Sequence, residues 1–170
     1  MKKIKLVDLN KQYYLHKKSI DNSIKQVIKD SDFINGKSVK KFETNFKSKL
    51  QTKYCITTNN GTDSLFIAMK SLNLKRGQEV ITSAHSWISS SSTITQAGGV
   101  PVFCDTDPDT FNIDIKELKK KITARTVGII AVHLYGQPCD ILNITSLAKE
   151  KKIWVIEDCA QSHFAKFKNK

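Results

Sequence analysis

The sequence predicts an α/β fold, a mostly parallel, doubly wound sheet in three layers, and three observations carry that prediction. Short apolar runs alternate with stretches of helical periodicity from about residue 53 onward. Residues 127–132 are apolar throughout, the pattern of a strand covered on both faces. Polar clusters follow directly after the predicted strands, and an open parallel sheet gathers its ligands past the carboxyl ends of its strands. Residues 1–52 carry only helical signals. The chain therefore divides into an N-terminal helical segment, 1–52, and an α/β region, 53–170.

The elements follow in order. Residues 4–9 are a short apolar start to which periodicity assigns no element. Ile20, Ile24, Val27 and Ile28 recur at helical spacing and predict an amphipathic helix over 16–29, ended by Asp30-Ser31-Asp32. Phe33-Ile34-Asn35-Gly36 is a turn. Ser38 stands where it can cap a second helix with Val39, Phe42, Phe46 and Leu50 on its apolar face. Residues 54–57 predict the first strand and 62–72 a helix with Leu65, Ala68, Met69 and Leu72 inward. Arg76-Gly77-Gln78 turns into a strand at 79–82. Residues 86–96 predict a helix despite their serine run, because Gly98-Gly99 supplies a stop. A strand over 100–104 contains Pro101, which removes a ladder donor. Asp114 caps a helix through 122, and the apolar strand 127–132 follows. Asp140 caps a helix to about 149 with Ile141, Ile144, Leu147 and Ala148 inward, and 153–156 form the last strand.

Composition narrows the function classes. No apolar run is long enough to span a membrane, and no apolar stretch follows the charged start as a signal peptide requires, so a cytoplasmic protein is expected. Cys55, Cys104, Cys139 and Cys159 are far apart, form no C-x-x-C pair, and read as reduced packing residues. The net charge is +12, but only Arg76 and Arg125 are arginine, and the lysines are spread along the chain. Nucleic-acid readers rely on clustered base and on arginine, so a solvated lysine-rich surface is the better reading.

Four clusters can carry chemistry. Asn59-Asn60-Gly61-Thr62-Asp63 joins a turn to a helix start, where free N–H groups and the positive helix end favour a phosphate or serve as a plain cap. Trp87 follows a strand and can stack on a flat heterocycle or plug the interface of its helix with the sheet. His133 follows the buried strand as a general base or, more in keeping with its setting, a hydrogen-bonded structural residue. Glu157 and Asp158, with Gln161, place carboxylates and an amide at a strand end, where a carboxylate can hold a proton on a ring nitrogen. No second cluster at ligand spacing supports a metal.

Taken together and in order, Asn60-Gly61-Thr62-Asp63-Ser64-Leu65, His85-Ser86-Trp87, Pro101-Val102-Phe103-Cys104-Asp105, Val132-His133-Leu134-Tyr135-Gly136-Gln137 and Ile156-Glu157-Asp158-Cys159-Ala160-Gln161-Ser162-His163 resemble the DegT/StrS-type sugar aminotransferases. These are fold-type I enzymes that use pyridoxal 5′-phosphate. The resemblance implies that Gly61, Thr62 and Asp63 bind the cofactor phosphate and that Trp87 stacks on the pyridine ring. It implies that Asp158 pairs with the ring nitrogen and that Gln161 bonds near the phenolic oxygen. It implies a homodimer that moves an amino group from glutamate to a keto nucleotide-sugar, for surface polysaccharide or amino-sugar synthesis. Two positions depart from the pattern: Phe164 stands where the family has glycine, and Ala84 where proline is common. The family's Schiff-base lysine lies in a downstream Ser-Phe-x-x-x-Lys segment that this sequence lacks, and Lys166, Lys168 and Lys170 follow Gln161 too closely to replace it. The expectation is thus an N-terminal part of the large domain, truncated before that lysine and the small C-terminal domain and inactive alone. The alternative is a non-catalytic ligand-binding or split-gene subunit that needs a separate C-terminal chain.

Overall fold

The computed structural model describes residues 4–168; Lys170, set aside above, lies outside them. The described residues fall into two compact units that divide between Thr57 and Thr58.

The first unit holds two helices, α1 (Leu9–Asp30) and α2 (Lys37–Leu50). Helix α1 begins seven residues before the predicted start of 16, because Asp8 accepts from the Lys11 amide and supplies the cap. The added turns carry Leu9, Tyr13, Tyr14 and Leu15 among polar residues, and Leu9, Tyr14 and Leu15 are largely exposed. The expected cap at Ser38 is corrected: Ser38 sits inside α2, Gly36 is the cap residue, and Asp32 Oδ2 accepts from the Lys37 amide at 2.6 Å. A Cβ on Gly36 would lie 2.5 Å from the Asp32 carbonyl oxygen, so only glycine fits beside this arrangement. The strand expected at 54–57 is also corrected. These residues belong to no helix or strand and pair with no strand among the described residues. The Thr57 amide and hydroxyl instead bond to Glu43 Oε1, each at 2.8 Å.

The second unit is the α/β fold. Helix α3 (Gly61–Ser71) precedes β1 (Glu79–Ser83); α4 (Ser89–Ala97) leads to β2 (Val100–Cys104); α5 (Ile115–Lys121) to β3 (Thr126–Val132); and α6 (Ile141–Lys151) to β4 (Trp154–Asp158). The four strands are all parallel, in the order β2-β1-β3-β4. Pro101 lies on β2, at a sheet edge, where a missing donor is tolerated. Helix α4 starts three residues later than predicted; the turn through Trp87 comes first.

Successive side chains of a strand point to opposite faces, and the core follows that rule. Ile81, Ile129 and Ala131 pack with Leu118 of α5 and Ile144, Leu147 and Ala148 of α6. Val80, Ile130 and Val132 pack with Leu65 and Met69 of α3 and Ile94 and Ala97 of α4. Helices thus cover both faces, which gives the three layers expected. Ile129, Ile130 and Ala131 are fully buried, as the unbroken apolar run of β3 requires.

Gly128 of β3 pairs with Trp154 of β4, and an added Cβ would fall 2.2 Å from the indole. Gly128→Ala should therefore force the ring off the sheet and destabilise the α/β unit by about 1–3 kcal/mol in chemical denaturation. At the same amino end of the strands, Glu79 is buried and takes hydrogen bonds from Thr123, Thr126 and Arg125, the last as an ion pair. The Thr123 hydroxyl and the Arg125 guanidinium hold its carboxyl below the usual range. A carboxyl made more acidic by folding contributes stability above its unfolded pKa and loses it as the pH falls through the folded value. Glu79→Gln should cost about 1–3 kcal/mol at neutral pH, with the difference from wild type shrinking in acid.

Candidate functional site

The strand order dictates where a site can form. From β1 the chain moves outward to β2, and from β3 it moves outward to β4. The carboxyl ends of β1 and β3 therefore border a crevice at the topological switch point, where ligands of open α/β sheets bind. His85 follows β1 and Tyr135 follows β3. His85 Nε2 and the Tyr135 hydroxyl lie 3.0 Å apart and close one side of this crevice. Phe111, from the loop after β2, adds a third ring, 6.4 Å from His85 and 6.3 Å from Tyr135 between centroids.

The amino end of α3 opens beside these strands. Asn60 caps it: its side-chain oxygen accepts from the Asp63 amide at 2.9 Å, and its side-chain nitrogen donates to the Asp63 carboxylate at 3.0 Å. Gly61 and Thr62 occupy the first turn, where N–H groups have no helical carbonyl to bond. A Cβ on Gly61 would meet nothing within 4 Å, so the space before this turn is open. The Thr62 hydroxyl lies 2.7 Å from that of Ser89, which opens α4, so two helix starts converge through two hydroxyls. Trp87 sits just ahead of Ser89 and is 74% exposed, which rules out its use as an interface plug and leaves its ring available.

On the other side of the crevice, Asp158 ends β4 in register with Val132 of β3, and its carbonyl accepts from the His133 amide at 3.1 Å. Its Oδ1 accepts from the Ala160 amide at 3.0 Å, which leaves Oδ2 to another donor. Gln161 Oε1 accepts from the Tyr135 amide at 2.7 Å. Because the oxygen end of that amide is committed to the protein, its NH₂ end is the one presented outward.

His133 is buried and structural. Its Nδ1 accepts from the Cys139 amide at 2.9 Å, and its Nε2 lies 3.0 Å from Glu157 Oε2. Cys139, then Cys159 and Glu157, raise the proton affinity of the ring. An Nδ1 that accepts an amide proton carries none itself, however, so the geometry places a single proton on Nε2, donated to Glu157. Cys104 and Cys139 are buried, Cys159 is exposed, and all four thiols are free. Burial, with Asp114 next in effect, pushes the Cys104 thiol up to about 11, so it stays protonated.

Phe164 stands at φ +61°, the left-handed region that favours glycine. The backbone thus keeps the conformation that a glycine would take there, at a cost of about 1–2 kcal/mol for the larger residue. A cleft of about 470 Å³ lies nearby, between α6 and the segment after β4, lined by His133, Glu157, Cys159 and Ser162 among others. None of Gly61, Thr62, Asp63, Trp87, Asp158 or Gln161 lines it, so it is separate from the crevice described above. Among the described residues no cluster of His, Cys, Asp and Glu could hold a metal, and no helix is long and apolar enough to cross a membrane.

Nothing in the local sequence pattern marks Ser89 or Asn112 as site residues, and Tyr135 stands out only as part of its motif. Ser89 opens a run of four serines, and Asn112 ends a polar stretch between a strand and a helix. Only the pairing of distant segments exposes their partners.

Comparison with known proteins fits this geometry. The model of the DegT/DnrJ/EryC1/StrS aminotransferase family matches residues 15–170. A dTDP-3-amino-3,6-dideoxy-alpha-D-galactopyranose transaminase of Aneurinibacillus thermoaerophilus is 38% identical over 167 residues, which are 98% of this chain and 46% of that protein. The fold matches S. venezuelae DesV, solved in complex with a ketimine intermediate, with a TM-score of 0.93 and 29% identity over 96% of this chain and 44% of that one. It also matches ntda from Bacillus subtilis with bound cofactor PMP, with a TM-score of 0.84 and 35% identity over 86% of this chain and 34% of that one. The chain spans less than half the length of the relatives it matches. With a parallel sheet, a crevice at its switch point and a family match along nearly all of its length, the chain belongs to the DegT/DnrJ/EryC1/StrS aminotransferase family.

Proposed function

We propose that these residues form the cofactor-holding part of a pyridoxal-phosphate-dependent aminotransferase that passes an amino group, taken from glutamate, to a keto nucleotide-sugar. The observation that carries this reading is the fixed orientation of Gln161: its oxygen is tied to the Tyr135 amide, so it offers a donor, while Asp158, three positions earlier, keeps one oxygen free of the Ala160 amide. An acceptor and a donor past the end of one strand suit a ring that bears a protonated nitrogen at one position and a phenolic oxygen at another.

The remaining residues fit the same ligand. The Gly61 and Thr62 amides stand at a helix start with open space beside Gly61, and the Thr62 hydroxyl, paired with that of Ser89, lies in the same turn, the setting that binds phosphate. Asp63 belongs to the same turn, held by Asn60. The exposed indole of Trp87 offers its face to the ring. When bound, the cofactor supplies an electron sink, a protonated pyridine ring that draws in the electron pair of a neighbouring carbon. Asp158 keeps the proton on the pyridine nitrogen by placing a negative charge against it. Gln161 orients the ring by donating to its oxygen. Transamination is assigned to the whole protein, working as a homodimer: the 170 residues contain no Ser-Phe-x-x-x-Lys segment and so no counterpart of the family's Schiff-base lysine.

Pyridoxamine 5′-phosphate is the probe of choice, since it lacks the aldehyde that would react with surface lysines. Titration of the chain should quench tryptophan fluorescence, and Trp87→Phe should abolish the quenching while binding persists in calorimetry. Asp158→Asn should weaken that binding by roughly tenfold to a hundredfold, the loss of one charge-assisted hydrogen bond. Gln161→Glu, which still accepts from Tyr135 but donates nothing, should weaken it by about fivefold or more. No binding by the wild-type chain, or amino transfer by the chain alone, defeats the reading.

A further inference from the structure

Tyr135 is held in a conformation its side chain does not favour, with φ 56° and ψ 20°. A bulky residue in this left-handed region is strained, and such strain persists only where the surroundings impose it. Burial does not impose it here, because Tyr135 is 68% exposed. Asn112 does. This residue is 4% exposed and spends its whole side-chain amide on the backbone to either side of Tyr135. Its Oδ1 accepts from the Leu134 amide at 3.1 Å, and its Nδ2 donates to the Gln137 carbonyl at 3.0 Å. Within the turn, the Gln137 amide closes onto the Leu134 carbonyl at 3.0 Å.

Asn112 is itself anchored. Its carbonyl accepts from the Asp107 amide at 2.9 Å, Thr106 and Ile113 form an antiparallel bridge, and the Asp114 amide bonds the Asp105 carbonyl at 3.0 Å. The loop after β2 is thereby closed into a rigid arm that reaches the turn after β3.

We propose that Asn112 is a positioning residue for the cofactor edge: it clamps the Leu134–Gly136 turn, aims the Tyr135 amide at Gln161 Oε1, and so fixes Gln161 with its donor end outward. This rests on the reading of Gln161 given above. The chain of contacts runs Asn112, Leu134 and Gln137, Tyr135 amide, Gln161, and every link is a hydrogen bond of 3.1 Å or less. Without the clamp, Gln161 is free to turn its oxygen toward the ring, where it meets another oxygen.

The full chain tests this with two variants. In Asn112→Ala, amide hydrogen exchange at Tyr135 should speed about tenfold while Ile129 and Ile130 of β3 stay protected. Affinity for pyridoxamine 5′-phosphate should fall about fivefold while that for inorganic phosphate holds. In Asn112→Asp, the new carboxylate faces a carbonyl and cannot donate, so at neutral pH it should behave like the alanine variant. Once protonated, which burial makes easier, it donates to Gln137 and still accepts from Leu134, so exchange at Tyr135 should return to the wild-type rate at the same acidic pH. Unchanged exchange at Tyr135, loss of protection in β3 together with phosphate affinity, or absence of the acid rescue would each overturn the proposal. If the wild-type chain binds no pyridoxamine 5′-phosphate, the cofactor reading fails, and the exchange data with the acid rescue still decide the clamp.

Discussion

The burial of β3 on both faces is the constraint on which the rest of the α/β unit depends. A strand in that position must find ladder partners on both edges and apolar cover above and below, and parallel partners can be reached only by long crossovers. Helices α3 and α4 cover one face and α5 and α6 the other. With β1 on one edge and β4 on the other, the chain must wind outward in two directions, and the switch point falls between β1 and β3. The crevice is therefore a consequence of how one apolar strand is buried, and the polar residues after each strand arrive there by topology.

The residues around that crevice divide their work. Small hydroxyl-bearing residues and free amides gather where two helices start, and ring systems gather where β1, β2 and β3 end. The backbone is strained at two of the rings, since Phe111 stands at φ +59° and Tyr135 at φ +56°. Both are half exposed or more, so the strain is not repaid by burial of their rings. It is held by satisfied backbone: the Phe111 amide bonds Asp107, and the Tyr135 turn bonds Asn112. A site organised this way is rigid before a ligand arrives, which lowers the ordering cost of binding.

The sequence carried much of this. Helical and strand positions in the α/β unit follow from periodicity and from caps such as Asp114 and Asp140, which the structure shows accepting the amides expected of them. Periodicity failed where burial was absent. The first turns of α1 leave Leu9, Tyr14 and Leu15 largely exposed, and residues 54–57 have strand composition but no partner strand among the described residues. Strand propensity describes a side chain fit for a sheet surface, and it does not supply the neighbour whose hydrogen bonds make a strand. Ser38 had the chemistry of a cap, but the helix starts before it, at Lys37, whose amide bonds Asp32, outside the helix.

Order along the chain determined the family, because five short motifs in sequence are far more specific than any one of them, and it determined which residues end each strand. Tertiary structure alone decided how those residues meet. The pairing of His85 with Tyr135 spans 50 positions, that of Thr62 with Ser89 spans 27, and that of Asn112 with Gln137 spans 25. Hydrogen bonds between such distant groups depend on strand order and register, which local propensity does not encode. The orientation of Gln161 is the clearest case: its identity was legible at position 161, but which end of its amide faces outward was settled by a backbone N–H at Tyr135.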